Sequence, residues 1–521
     1  MREKYNDRLN PEMSPGGHSR RALIQSFALA STLGFSPSLR AQPIERLPQD
    51  PILAGDWPDP TVVRVNGTYY MTHSSFESYP GLLMWKSRDL VRWDPMSCVL
   101  HDDIGSVWAP ELCWHEGLFY LYVPAKKGSR GDIWVLYTKD IEGSWSKPIS
   151  LGIDAIDPGH AVENGRRFLF VNGGRRVALS RNGLRIDGPL EKVYEGWRYP
   201  EEWDVESYSF EGPKLLWRDP YWHMTLALGG TAGPPTGHMV VSARAKTLEG
   251  PWEHSPFNPI VRTTSLSDAW WSRGHATLVQ GPGSDRWYVV YHGYENGFRT
   301  LGRQTLLDPI EWTDDGWYRS TKVTNSGLSR ERPWHLSHDP FIASALPSHW
   351  SFGAYRPSQG SRVEVKEGAL FLNGIGGSPS DSPPLVFKTG DHVYQIEVTL
   401  DMTEGEQAGI VLYYSPRLYA GLGVNQKGFI LHRYGEDRPR GGSSRLSESK
   451  IRLRMRNDRH IVTFWYSHDE GLSWEKYGTQ LEVSGYHHNV MGGFQSLRPG
   501  LYASGAGRVR FSRFVYSGHR T

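Results

Sequence analysis

Three acids and a histidine carry the chemistry that this 521-residue chain can offer. Asp59, Asp157, Glu211 and His275 stand 10, 11, 10 and 12 residues ahead of the aromatic markers Tyr69, Phe168, Tyr221 and Trp287. Ala109 holds the same place 10 residues before Phe119. The acids lie in tight, Pro-punctuated segments: Trp57-Pro58-Asp59-Pro60, Ile156-Asp157-Pro158 and Phe210-Glu211-Gly212-Pro213. One acid among the 56 in the chain reads as a turn cap or a surface charge. A shared phase is different, because equivalent positions of a cyclic repeat converge on one axis. Converging carboxylates suit glycoside hydrolysis, in which one ionised base activates water and one protonated acid serves the leaving oxygen. A further carboxylate nearby raises the pKa of the acid by like-charge repulsion. The rival chemistry is calcium binding by an acidic cluster, although no Asp-x-Asp-x-Asp loop is present.

The elements that must position these groups follow from the markers. Tyr69, Phe119, Phe168, Tyr221 and Trp287 are separated by 50, 49, 53 and 66 residues. Each begins an aromatic-rich β segment after a turn signal such as Asn66-Gly67, Glu116-Gly117 or Asn164-Gly165. About fifty residues is the length of a four-stranded propeller blade. The spacing therefore predicts an all-β, five-bladed propeller over residues 44–330, with the innermost strand of each blade lining the channel. A two-sheet sandwich there would leave the recurrence unexplained. No long 3.6-residue apolar period argues for a helical solenoid.

Composition narrows the function. A net charge of +2 with 22% charged residues argues against nucleic-acid or anionic-membrane partners. A hydrophobic share of 38% argues against a polytopic membrane protein, and two cysteines exclude a disulfide scaffold or a cysteine-rich zinc module. Cys98 and Cys113 could pair in an oxidising compartment, with two free thiols the default. The 21 Trp, 26 Tyr and 57 Gly fit a turn-dense β protein, and flat aromatic faces suit sugar rings.

Several segments together resemble glycoside hydrolase family 43 over about residues 50–330. They are Gly55-Asp56-Trp57-Pro58-Asp59-Pro60-Thr61, Ser74-Ser75-Phe76-Glu77 and Trp108-Ala109-Pro110-Glu111, then Ile156-Asp157-Pro158, Glu211-Gly212-Pro213, Arg273-Gly274-His275 and Gly302-Arg303-Gln304. The resemblance implies that Asp59 is the general base, Asp157 the pKa modulator and Glu211 the general acid. It implies that Arg303 reaches into the sugar subsite, where the alternative is a blade-to-blade ion pair. It makes Phe76 and Trp108 subsite aromatics, where the alternative is a core role. It places His275 beside a calcium ion held through a shell of waters, where the alternative is a neutral, hydrogen-bonded histidine. The Gly/Pro-rich stretch from Gly229 to His238 reads as a loop at the pocket mouth, with His238 touching substrate. The Glu295-Asn296-Gly297-Phe298 turn is expected to do the same.

Beyond a linker at 331–346 the pattern changes to clean alternation, as in Tyr394–Leu400 and Ile451–Arg456, which means one wet and one buried face. Residues 347–521 thus predict a β-sandwich of jelly-roll type. They resemble the concanavalin-like C-terminal domain of β-xylosidases in this family, which packs on the propeller and can close one side of the pocket with a loop. A free-standing carbohydrate-binding module is the other reading.

Residues 1–43 resemble a twin-arginine export signal: Arg20-Arg21 leads into a mildly apolar stretch too polar for a membrane span, and Ala41 precedes Gln42-Pro43. The expectation is an exported, periplasmic or secreted protein without an integral membrane anchor. It is expected to be an exo-acting, inverting glycosidase, with xylo- or arabino-oligosaccharides as partners and no organic cofactor. The alternatives are an arabinofuranosidase or galactofuranosidase of the same fold, or a carbohydrate-binding protein without catalysis. Oligomeric state stays open.

Overall fold

The structure, a computed structural model, describes residues 50–283, 285–321, 341, 345–354, 359–440 and 449–520. The export expectation for residues 1–43 lies outside them, as does most of the 331–346 linker.

Five antiparallel sheets follow one another in sequence. The first blade is Thr61–Val65, Thr68–Thr72, Gly81–Ser87 and Asp94–Leu100. The second is built on Glu111–His115, Leu118–Lys127 and Arg130–Thr138, and the third on Gly159–Glu163, Arg166–Val171 and Arg175–Leu179. The fourth is built on Phe210–Arg218, Tyr221–Leu228 and Met239–Ala245, and the fifth on Trp270–Gln280, Trp287–Glu295 and Arg303–Trp312. Every marker sits on the second strand of its blade, within its first three residues. The turn pairs Asn66-Gly67, Glu116-Gly117 and Asn164-Gly165 all have positive φ at both residues. That is the backbone of a two-residue hairpin whose twist matches its strands, which is why the repeat was visible.

The ring is held by five apolar clusters, one between each pair of neighbouring blades. Trp57, Tyr69 and Trp85 of the first blade, for example, pack against Val279, Tyr288 and Val290 of the fifth. Closure comes from the segment before the first blade: Leu53 bridges Thr305 in the fifth. At the centre, Lys214 of the fourth blade donates to Glu111 of the second across 2.5 Å. Glu111 also accepts the Thr61 hydroxyl of the first blade (3.1 Å) and the His160 N–H of the third (3.2 Å). Gly159 is required beside this pair, because a Cβ there would lie 1.7 Å from the Pro213 carbonyl oxygen.

The C-terminal sandwich is spanned by two long strands, Val393–Ser415 and Arg498–His519, paired along their length with register shifts at Asp401/Glu404 and Gly405/Gln407. Bulges bend strands, so the ladder passes from one layer to the other without a break. The segments Tyr394–Leu400 and Ala408–Tyr414 thus belong to one strand. Phe341, inside the expected linker, is fully buried, with ring centroids 5.7 Å from Trp350 and 5.5 Å from Phe514. The sandwich core therefore begins earlier than residue 347.

The sandwich packs on the propeller through backbone as well as side chains. Tyr79 and Phe352 exchange N–H···O bonds of 3.1 and 2.7 Å, and the Leu497 N–H donates to Thr300 (2.8 Å). Cys98 and Cys113 are both free. Burial pushes the Cys98 thiol up to about 12 and the Cys113 thiol higher still, so neither is a reactive thiolate.

The Glu111–Lys214 pair generates the first prediction. Removing one member of a buried ion pair leaves the other uncompensated, at a cost of about 3–5 kcal/mol. Glu111→Ala should lower the unfolding free energy by roughly that amount, measured by denaturant titration; a loss near zero would mean that the pair does not hold the ring together.

Candidate active site

All five phase-equivalent residues, Asp59, Ala109, Asp157, Glu211 and His275, line one cavity of about 180 Å³ at the mouth of the channel. Asp59, Asp157 and His275 share one backbone conformation as well, with φ of 58, 57 and 56°. Non-glycine residues seldom adopt it, and such strain concentrates at functional sites. Glu211 is aimed differently: its strand pairs Glu211 with Ala227 and then shifts register before Lys214. The bulge turns the side chain inward. His275 lies within one irregularity of its strand, between Gly274 and Thr277, directly after another between Trp271 and Gly274. The Asp157 segment is clamped by Asn172, whose Oδ1 accepts the Ile156 N–H (3.1 Å) and whose N–H donates back to the Ile156 oxygen (3.1 Å).

The three carboxyls meet different surroundings. Asp59 Oδ1 accepts from Arg303 Nη1 at 3.0 Å and lies 3.0 Å from His292 Nδ1 and 3.5 Å from His275 Nδ1. Its Oδ2 accepts the Ser74 hydroxyl at 2.5 Å. Burial opposes ionisation here, but the Arg303 guanidinium, together with His275 and His292, outweighs it and holds Asp59 well below the usual carboxylate range. Glu211 has no such cation at contact distance. Burial first, and then the Asp59 charge, push it up to about 7. Asp157 is also raised, by burial, then by Glu211 and then by Asp59. Asp157 and Glu211 therefore compete for protons as a pair. The charge that most raises the acid is Asp59, with Asp157 drawing on the same proton supply.

Arg303 has the predicted position. It is 4% exposed, its Nε has no partner among the described residues, and its guanidinium carbon lies 5.7 Å from the Phe76 ring centroid. It lines the cavity, as a subsite arginine would, and forms an ion pair, but with Asp59 rather than between blade surfaces. Phe76 and Trp108 both line the cavity. Lys126 Nζ sits 4.3 Å from the Trp108 ring centroid, so one face of that ring is occupied.

His238 requires a correction. It is fully buried, its Nδ1 meets the Gly229 oxygen at 2.5 Å, and its ring stacks on His292 at 5.3 Å. It backs the histidine beside the base and does not line the cavity. The Glu295–Phe298 turn is likewise turned away from substrate: Phe298 stacks on His392 of the sandwich with centroids 3.9 Å apart.

His275 Nδ1 faces Asp59 and Asp157, whereas its Nε2 is buried without a hydrogen-bond partner among the described residues, the unpartnered nitrogen through which an ion held by waters would be reached. Among the described residues no three His, Cys, Asp or Glu side chains are arranged to hold a metal. Burial lowers the His275 pKa to about 3, which leaves a neutral ring packed against the acid-bearing strand.

Two contributors were missed. Phe494 of the sandwich lines the cavity; it stacks on Phe76 (6.1 Å) and meets Trp108 edge-on (5.6 Å). Its only signal was the Gly492-Gly493 pair before it, which is too common to read. Glu206 also lines the cavity, and its carboxylate accepts the Ala232 and Gly233 N–H groups (3.1 and 2.9 Å).

The family model for glycosyl hydrolases family 43 matches residues 48–318. The chain belongs to glycoside hydrolase family 43. The model of the β-xylosidase C-terminal concanavalin A-like domain matches residues 338–517. Among relatives, a xylan 1,3-β-xylosidase of a Vibrio species is 31% identical over 53% of this chain and 58% of its own length. A non-reducing end α-L-arabinofuranosidase of Bacteroides ovatus is 28% identical over 70% of this chain and 73% of its own. The chain thus spans little more than half of the Vibrio protein. Among solved structures, a xylan β-1,4-xylosidase of Bacillus halodurans superimposes with a TM-score of 0.79 at 26% identity, over 90% of this chain and all of its own. The five-bladed propeller and the C-terminal sandwich of this family 43 protein are thus shared with an enzyme of both domains.

Two predictions follow from the site. In kcat/KM against pH, activity should fall as the pH rises through about 7, where the Glu211 pair loses its proton; the acid limb should lie well below the ordinary carboxylate range, because Arg303 keeps Asp59 ionised. Glu211→Gln should abolish the alkaline limb with an activated aryl glycoside. Separately, if the water-held calcium ion is present, prolonged treatment with a chelator should lower activity or Tm and added calcium should restore it; no change in either would remove the ion from the site.

Proposed function

We propose that this protein is an exo-acting, inverting glycosidase that releases terminal β-D-xylosyl or α-L-arabinofuranosyl residues from cell-wall oligosaccharides. The observation that carries the reading is the opposite tuning of two carboxyls across one small cavity, Asp59 held ionised and Glu211 held protonated. Asp59 takes the proton of a water as that water attacks the anomeric carbon. Glu211 gives its proton to the departing glycosidic oxygen. After one turnover Asp59 is protonated and Glu211 ionised, and exchange with solvent restores both. Asp157 holds its carboxyl beside the pair and titrates together with the acid, as its pKa modulator. Arg303, with a free Nε, donates to sugar hydroxyls and keeps the base charged.

The exo assignment rests on size and closure. A cavity of about 180 Å³ walled by Phe76, Trp108 and Phe494 is smaller than the roughly 300–1,000 Å³ of pockets for drug-sized ligands. It suits a single sugar ring rather than a chain passing through. Xylose comes first because the sandwich that supplies Phe494 matches a β-xylosidase domain; an arabinofuranosidase is the second reading, favoured by the Bacteroides relative. Export to the periplasm or beyond belongs to the same proposal, on the strength of Arg20-Arg21.

The test compares aryl β-xyloside, aryl α-L-arabinofuranoside and aryl β-galactofuranoside at matched concentration, following the anomeric proton of the product. The expected result is highest kcat/KM on the xyloside with inverted configuration. Asp59→Asn should lower kcat by 10³-fold or more with every leaving group, on the order of what a lost catalytic group costs. Glu211→Gln should be severe only with poor leaving groups. Retained configuration would overturn the single displacement.

A further inference from the structure

The pair at the heart of the site, Asp59 and Arg303, is carried by two backbone segments of the propeller, and the sandwich holds both. Arg303 is tied to the base-bearing segment by its backbone: its N–H donates to Asp56 Oδ1 (3.2 Å), and its carbonyl accepts the Trp57 N–H (2.9 Å). Lys388 of the sandwich donates to the Asp56 carbonyl oxygen at 2.5 Å. The next residue, Gln304, is fully buried. Its Oε1 accepts the Gly55 N–H (3.3 Å) and Arg520 Nη1 (2.8 Å), and its Nε2 donates to Glu295 (3.0 Å). Arg520, which follows the strand Arg498–His519, also donates from Nη2 to the same Glu295 oxygen at 2.6 Å and from Nη1 to the Gly390 oxygen at 2.8 Å. His392 Nε2 completes the cluster at 3.0 Å from the other Glu295 oxygen.

We propose that Arg520 is a positioning residue for the general base: its guanidinium clamps Gln304 and Glu295, and so fixes Arg303 against Asp59 from the neighbouring domain. A planar fork that reaches an amide oxygen and a carboxylate oxygen together fixes direction as well as distance. The clamp sits one residue from Arg303 and also reaches Gly55, four residues from Asp59. A slack clamp lets the guanidinium drift, and a drift of a few tenths of an ångström weakens the largest of the interactions that offset burial of the base. The other groups facing Asp59 stay in place: His292 and His275 of the fifth blade, Asp157 of the third, Glu211 of the fourth, with His73, His238 and Tyr294 behind them.

The inference rests on the reading of Asp59 as base, and the experiment separates the two. The full chain is compared with Arg520→Gln, Arg520→Lys, Glu295→Gln and Asp59→Asn, by kcat/KM against pH and by thermal unfolding. In Arg520→Gln and Glu295→Gln the acid limb should move up by half a pH unit or more, with the alkaline limb in place. Arg520→Lys, which keeps the charge and loses the fork, should fall between. An acid limb unmoved in both folded variants overturns the proposal while leaving the base assignment intact. Full turnover by Asp59→Asn overturns the base assignment itself. If Arg520→Gln does not fold, Glu295→Gln, which keeps shape and removes only the counter-charge, decides alone.

Discussion

A single buried carboxylate organises the propeller. Glu111 has no chemical role in the cavity, yet it meets Thr61, His160 and Lys214 and so ties the innermost strands of four blades to one point. A five-bladed ring has a narrow axis, and its inner strands end in backbone groups that cannot all pair with one another. Lys214 answers that problem as a donor, reaching the carbonyl oxygens of Pro110 (3.0 Å) and Pro158 (3.3 Å) as well as Glu111. Buried ionic groups are costly and survive where they are fully partnered. Here the partners are the blades themselves, and the ion pair forms the floor on which the catalytic carboxyls stand.

From that floor the site inherits its geometry by repetition. Asp59, Asp157 and His275 occupy one place in three blades with the same left-handed backbone, so each side chain leaves its strand in the same direction relative to the axis. Convergence then needs no further device. Difference in function comes from what each carboxyl meets. The fifth blade supplies Arg303 to Asp59, whereas Glu211 meets burial and the charge of the base. One ionised and one protonated carboxyl arise from a near-symmetric frame because the Arg303 cation and two histidines crowd Asp59 and not Glu211.

This division explains what was legible in the sequence. Hairpin turns with Asn-Gly or Glu-Gly and aromatic second strands repeat at about fifty residues, and both signals are local. Blade count, strand order and the phase of the acids followed from them. Phe494 was out of reach, because it enters the cavity from a sandwich loop more than 180 residues beyond Arg303. His238 was misread for the opposite reason. Its Gly/Pro-rich neighbourhood signalled a loop, which it is, but the residue just before the strand Met239–Ala245 turns inward and is buried against His292. The calcium expectation turns on a detail no spacing contains, namely which way the two nitrogens of His275 face.

The sandwich is therefore more than a support. It walls the cavity through Phe494 and grips the base-bearing and arginine-bearing segments through Lys388 and Arg520. A propeller pocket alone opens to solvent on its top face, where water would screen the Arg303 charge and let a long chain thread past. Covering that face raises the effective strength of every charge inside, because screening falls as water is excluded. On the proposed reading it also limits entry to the end of a chain, and the contact that positions the base then restricts the substrate too, which couples the two domains through physics rather than through sequence proximity.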